Sequence, residues 1–519
     1  MSIEQSAHSS PFPFDQGLQE QGANWRLRAF YILRAVAVGI LLFSSLVTLF
    51  RSFDWPLIHD APLLHFISSE ILAGAAPYKD IVDMNMPGTY LLHMLALTTL
   101  GPGDLAWRIF DLIWLGLAAG AIVLFTRSFG NWISFFSSAF YIAFHLSQGP
   151  LRLGQRDFLM IPFLMLGAHF LAMSLEQKKS IWNILWAGIF MGCAIAVKPF
   201  SLILLAFFVF LVIRYSQNTS KEILGKLTCL IISSSFIPLL VTVWLYSMDS
   251  LLPLWTFATE YLIPLYSHLH TTNYLSLIGS IIKGSLPMVP AIIAFLLCVR
   301  VGSIHIDPRL ATLSLCTIYG ALHFIIQGKG WGYHLEPYCF FVFTLWISLL
   351  GMVIRKATPT LRLTAMSAFC VMALMMGGQS LAAGLTKNTF IAKKQALVHQ
   401  LEEDLAKFPL KKTDTIQILD TAEGGIHALL RLGRHLPTRF IYDFHFYHDI
   451  QSPFIQDLRH EFIQSLQNNP PHSMVLFHFH WLPPFDESRL NSFPELTDLL
   501  DTHYPRRQTR DDYTIYSTK

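Results

Sequence analysis

Trp55-Pro56-Leu57-Ile58-His59-Asp60, followed by Gly74-Ala75-Ala76-Pro77-Tyr78-Lys79-Asp80-Ile81-Val82-Asp83-Met84-Asn85-Met86-Pro87-Gly88, is the stretch that decides how this chain reads. It comes directly after the first apolar run, Phe30 to Phe50, which is long enough to cross a bilayer at about 20 residues per span. Carboxylates, a lysine and aromatic rings in a long loop beside hydrocarbon must be satisfied or wet. Ionisable groups kept at that depth are functional candidates. The expectation is a membrane protein whose chemistry sits on one membrane face.

Composition agrees. The chain is 53% hydrophobic and 14% charged, against about 25% charged in soluble domains. A net charge of +3 gives no reason to expect nucleic acid. Of the 71 charged residues, 32 lie after residue 385. Three parts follow: a disordered cytoplasmic N-terminus (1–25), a transmembrane catalytic body (26–385) and an extracytoplasmic α/β domain (386–519). Cys193, Cys229, Cys298, Cys316, Cys339 and Cys370 all lie in apolar stretches and read as buried hydrophobes, not as a disulfide or metal set.

Eleven apolar stretches are expected to span: 30–50, 105–126, 132–150, 157–175, 181–197, 199–213, 227–247, 275–299, 310–326, 336–354 and 362–384. Pro87 to Leu100 is apolar but short, and reads as an interfacial helix opened by proline. With the N-terminus inside, lysines and arginines favour the inner loops about two to one. An odd number of spans then puts the C-terminal domain outside. The unusual loops fall together on that outer face: His59-Asp60 and its continuation, Gly154-Gln155-Arg156-Asp157, Lys198-Pro199-Phe200, Trp255 to Tyr274, and Gly328-Lys329-Gly330-Trp331-Gly332-Tyr333-His334.

Asp60 precedes Leu63, Leu64, Ile67 and Ile71, which share one helix face. It reads either as the N-cap of that helix or as a general base beside His59. Lys79, Asp80 and Asp83 form either a solvated loop or a phosphate and acceptor site. Arg108 and Asp111, three apart, read as an ion pair at a span edge, and Arg156-Asp157 can be read the same way. The glycines around Lys329 allow close backbone approach to a ligand, and Lys329 with His334 suits an anionic headgroup. The string lacks Walker spacing. It also fits an interfacial aromatic belt. In the tail, Thr415–Leu419, Met474–His480 and Tyr513–Tyr516 read as strands, and Gly425–Leu432 and Pro453–Gln467 as helices. His445, His448, His478 and His480 read as packed histidines.

Taken in order, an early Asp, Gly-x-x-Pro-Tyr-x-Asp, Asn-x-Pro-Gly, Trp-Arg-x-x-Asp, Arg-Asp and Gly-Lys-Gly-Trp-x-Tyr-His resemble the GT-C membrane glycosyltransferases. The resemblance runs over residues 30–350 and is to the bacterial branch near lipopolysaccharide-core sugar transferases, aminoarabinose transferases and protein O-mannosyltransferases. It implies a GT-C-like helical fold and transfer at the outer face of a bacterial inner membrane. The donor would be a polyprenyl-phosphate-linked sugar and the acceptor an envelope glycolipid, glycan or protein. Asp60 would be the catalytic base. Arg156, Lys329, His334 and Lys79 would bind the donor phosphate. His59, Tyr78, Asp80, Asp83, Asp157, Trp331 and Tyr333 would support the acceptor. No cofactor is expected; metal use is left open, since Ala61 follows Asp60 where many members carry a second acidic residue, and no metal ligand is assigned. A lipid-linked sugar flippase is the alternative, although the halves show no internal repeat.

Overall fold

The computed structural model describes residues 13–176, 181–216, 219–298, 306–386, 388–408, 411, 413–420, 422–479 and 487–518. It is an α-helical polytopic body with a small α/β domain. Its helices are α1 (Pro13–Arg51), α2 (Asp60–Leu72), α3 (Pro87–Leu100), α4 (Asp104–Thr126), α5 (Asn131–Ser147), α6 (Arg156–Leu159), α7 (Ile161–Glu176), α8 (Ile181–Val197), α9 (Leu202–Tyr215), α10 (Ser220–Ser247), α11 (Leu251–Phe257), α12 (Tyr274–Ser285), α13 (Val289–Cys298), α14 (Pro308–Gln327), α15 (Glu336–Lys356) and α16 (Pro359–Leu385).

Each of the eleven apolar stretches is helical. Among the described residues, eight helical segments are long and apolar enough to cross a membrane. The other three are short: α5 and α8 have 17 residues and α9 has 14. The break between α8 and α9 has a local cause. Proline disfavours the helical region for the residue before it, and Lys198 is extended at φ −147°, ψ 115°. Residues 13–25, expected without structure, continue α1; residues 1–12 lie outside the described residues. The interfacial helix is present as α3, with Pro87 in its first turn.

Two helix ends decide where the site forms. α1 packs along α16. A Cβ at Gly384 would come 2.9 Å from Thr48 Cα, and Thr48 Oγ1 donates to Ser380 O at 2.7 Å. The loop leaving α1 and the domain following α16 therefore emerge side by side.

That domain holds α17 (Thr389–Ala406), α18 (Gly425–Leu432), α19 (Pro453–Asn468) and α20 (Pro494–His503). Its sheet has strands β1 (Ile416–Ile418), β2 (Ser473–Phe477), β3 (Arg506–Thr509) and β4 (Tyr513–Ser517), in the order β1-β2-β4-β3. β1 pairs parallel to β2, whereas β4 runs antiparallel to β2 and β3. α17, α20 and β3 were not expected. β3 is a largely exposed edge strand of Arg506, Arg507, Gln508 and Thr509 without an apolar face. β2 ends before His478, and His480 lies outside the described residues.

Two buried cores result. One fills the helical body. The other joins Leu63, Phe66, Ile67, Tyr78 and Tyr90 of the first loop to Val241 and Tyr261 and to the apolar face of the α/β domain. Polar contacts fix this docking. Val82 N donates to Arg439 O at 2.9 Å, His435 meets Glu70 at 2.7 Å and Arg431 meets Asp104 at 3.1 Å. Asp83, 1% exposed, accepts from Asn85 Nδ2 at 2.8 Å and from the Tyr90 and Tyr442 hydroxyls at 2.6 and 2.9 Å. Removing that carboxylate strands several buried donors. Asp83→Ala should therefore cost about 3 kcal/mol or more, and Tyr442→Phe about 1 kcal/mol. Thermal unfolding of the purified full chain, read as Tm, measures both.

Candidate active site

A cavity of about 460 Å³ lies between the first loop, the helical body and the α/β domain. His59, Asp60, Arg156, Tyr266, Trp331 and Tyr333 form one side; Phe390, Lys394, Glu423, Tyr442 and Phe444 form the other.

Asp60 is the first residue of α2, and His59 occupies the cap position without a side-chain capping bond. The capping role is therefore set aside. The Asp60 carboxylate meets His59 Nδ1 at 2.8 Å and Arg156 Nη2 at 3.3 Å. His59 is held at φ +63°, a conformation costly for a residue with a Cβ and usually kept only where surroundings enforce it. Burial alone would raise the Asp60 carboxyl. His59, Arg156 and His334 outweigh it and hold the group below the usual carboxylate range.

Arg156 opens the four-residue α6. Its Nη2 also donates to the Tyr333 hydroxyl at 3.3 Å, and its guanidinium lies 5.9 Å from that ring's centre. Asp157 points the other way. It takes Lys198 Nζ at 2.7 Å and His323 Nε2 at 2.6 Å, and Lys198 also donates to Gln327 at 2.8 Å. The two neighbours thus do not pair with each other. Arg108 and Asp111 do pair, fully buried. Asp111 additionally meets His145 at 3.1 Å and accepts from Gly154 N at 3.0 Å, so this pair shapes the corner that leads into Arg156.

The other expected phosphate ligands are placed differently. Lys329 Nζ donates to the carbonyls of Tyr266 (2.8 Å), Ser267 (3.2 Å) and Leu269, and lies 4.6 Å from the Tyr266 ring centre. Burial lowers its ammonium to about 8. It secures the 266–269 segment, which brings Tyr266 into the cavity. The glycines around it also serve the chain's own packing. Gly328 and Gly330 have φ of +66° and +68°, and a Cβ at Gly330 would come 2.5 Å from Thr272 Oγ1. His334 is 4% exposed and is not part of the cavity wall; its ring packs edge-on against Tyr333 at 4.5 Å. Lys79 is half exposed, 3.6 Å from Asp249, and outside the cavity.

Tyr78, Asp80 and Asp83 build the loop. Tyr78, at φ +65°, donates to Asn85 O at 2.6 Å, and Asp80 accepts from Ala76 N at 2.8 Å. Among the described residues no group of three or more His, Cys, Asp or Glu has metal-ligand geometry.

The sequence reading missed the far wall. Phe390 and Lys394 come from α17. Glu423 follows β1, in a turn whose N–H groups bond to Asp420: Glu423 N at 2.6 Å, Gly424 N at 3.1 Å and Ile426 N at 2.9 Å. Burial, then the hydrogen-bonded Asp420, pushes the Glu423 carboxyl well above its ordinary range. No local motif marks these residues, because docking alone brings them to the first loop.

Comparison with known proteins fits this architecture. The sequence profile of the dolichyl-phosphate-mannose-protein mannosyltransferase family matches residues 86–244. The crystal structure of ArnT from Cupriavidus metallidurans in the apo state matches with a TM-score of 0.60 at 12% identity. The same protein bound to undecaprenyl phosphate gives 0.62 at 14%. Each match covers 92% of this chain and 97% of the other. No curated protein sequence matches. The likeness is one of fold: the chain has a GT-C-like fold similar to that of ArnT.

Since the folded-state Asp60 carboxyl is held low, its contribution to stability is complete above the unfolded carboxylate value and is lost as pH falls through the lower, folded one. The Tm difference between wild type and Asp60→Asn should stay constant from pH 8 to about 5 and shrink only below about pH 4. A pH series of thermal melts checks this.

Proposed function

We propose that the chain is a membrane glycosyltransferase. It takes a hexosyl or pentosyl group from a polyprenyl-phosphate donor and passes it to an envelope glycolipid, glycan or protein at the outer face of a bacterial inner membrane. In this reading the N-terminus is cytoplasmic and the α/β domain periplasmic. One observation carries it: a carboxylate and a guanidinium from distant loops meet inside a cavity walled by both domains. The ArnT structure of the same fold, bound to undecaprenyl phosphate, supports the donor class.

The chemistry follows from the pair. In the resting site His59 and then Arg156 hold Asp60 anionic, which makes it a weak base. An arriving lipid phosphate competes for Arg156, whose planar fork suits phosphate. With Arg156 drawn to the phosphate and only His59 left beside it, Asp60 gains basicity and takes the proton of the acceptor hydroxyl. The hydroxyl oxygen bonds to the anomeric carbon as the bond from that carbon to the phosphate oxygen breaks. The electron pair leaves with the polyprenyl phosphate, whose growing negative charge Arg156 stabilises, as preorganised donors do in a dry site. One displacement inverts the anomeric centre. Tyr333 steadies Arg156, and Lys329 acts through Tyr266.

Asp60→Asn keeps size and polarity but cannot take the proton. It should lower sugar transfer by about 10²–10⁴ while binding of undecaprenyl phosphate persists. Arg156→Lys should weaken that binding. Purified protein, a set of polyprenyl-phosphate sugars and total envelope extract as acceptor make the assay. Near-wild-type transfer by Asp60→Asn would refute the base assignment.

A further inference from the structure

A closed circuit of contacts ties together the two residues of the charged pair. Asp60 opens α2, and His65 lies just over one turn along the same helix. His65 Nδ1 is 2.7 Å from His93 Nδ1 of α3, and the rings meet edge to face with centroids 4.9 Å apart. Trp107 of α4 completes the cluster. It stacks on His93 at 4.4 Å and meets His65 edge-on at 4.6 Å. All three side chains are buried. Trp107 also reaches Gly154, where an added Cβ would fall inside the indole. Gly154 has φ +58° and its N–H is held by Asp111. Two residues later Arg156 turns back to Asp60. The path runs from Asp60 through two imidazoles, an indole and a glycine corner to Arg156.

The imidazole contact has one consistent protonation. Two Nδ1 atoms at 2.7 Å share a single proton, so one ring carries hydrogen on Nδ1 and the other on Nε2. A second proton on the facing nitrogen would set two donors against each other. The contact therefore pairs opposite tautomers, whichever ring donates, and holds both ring orientations. Burial supports the neutral state, lowering His65 to about 3 and His93 also well below its ordinary value. Gly154 has no room for a side chain because the indole fills that space. The cluster is thus a rigid spacer between the helix that carries Asp60 and the corner that presents Arg156.

We propose that His65, His93 and Trp107 are positioning residues that set the Asp60–Arg156 distance and so hold Arg156 where the donor phosphate arrives. The proposal rests on the reading of Arg156 as a phosphate ligand. A binding cycle on the purified full chain, with undecaprenyl phosphate as probe, tests it. The proteins are wild type, Arg156→Ala, His93→Phe and the double variant. Arg156→Ala should raise Kd about tenfold, the scale of a lost charge-assisted hydrogen bond. His93→Phe keeps the ring but removes the shared proton, and should raise Kd similarly. In the double variant Arg156→Ala should add less than about twofold, because coupled residues are non-additive. His93→Asn, which restores a polar atom near the Nδ1 position, should recover most of the affinity. A purely structural role predicts that the two effects multiply and that Asn gives no rescue; that result overturns the proposal. If Arg156→Ala alone leaves Kd unchanged, the phosphate reading fails, and this proposal with it. Should His93→Phe not fold, Trp107→Phe shortens the same spacer and takes its place in the cycle, with the same two outcomes deciding.

Discussion

Asp60 and Arg156 stand 96 residues apart in the chain and 3.3 Å apart in space. Their attraction cannot be what organises the molecule. Both side chains keep some solvent contact, at 23% and 14% exposure, and ion pairs in such settings contribute little net stability. The causal order is the reverse: the fold brings the pair together. α2 presents Asp60, the Asp111 and Gly154 corner presents Arg156, and Tyr333 supports the guanidinium from the far side. A weakly rewarded pair held by strong surroundings exchanges partners readily.

The α/β domain belongs to this arrangement. By composition the chain divides near residue 385, where charge density rises. By packing the division lies elsewhere. The second core runs from α2 and the first loop through Val241 and Tyr261 into the sheet domain without interruption. Asp83 anchors the loop to that domain through Tyr442, and Arg439 holds the Tyr78 carbonyl at 3.3 Å. The first loop is thus a shared layer with a domain on each side, and the cavity opens where the layers meet.

Much of this was legible because it is local. Spans follow from runs of apolar residues, and α3 from Pro87 before a short apolar run. α2 follows from Leu63, Leu64, Ile67 and Ile71, all buried. His59, Asp60, Arg156, Trp331 and Tyr333 were singled out from their loops, and all line the cavity. The errors have one kind of cause. Lys329, Lys79 and His334 were grouped by sharing a membrane face, but a face is wide, and each found a nearer partner or a buried seat. Of the glycines around Lys329, Gly330 sits against Thr272 and Gly332 against Arg152 of the chain itself. Phe390, Lys394 and Glu423 were invisible, since their role depends on a docking geometry that no residue spacing encodes.

The dipeptide Arg156-Asp157 shows how one short segment serves two demands. Successive residues on a helix point about 100° apart, so neighbours in the first turn of α6 face different surroundings. Asp157 is fully buried against Lys198 and His323. A carboxylate in that position needs charged and hydrogen-bonded partners to be tolerated. Lys198 is available because Pro199 takes it out of helical conformation and leaves its side chain free to reach inward. The break between the short α8 and α9 is therefore what supplies the anchor. Pinned through Asp157, α6 has little freedom to rotate, and Arg156 is fixed toward Asp60. A proline between two short helices thereby acts, through lysine, aspartate and a single helical turn, on the placement of the charge that faces Asp60.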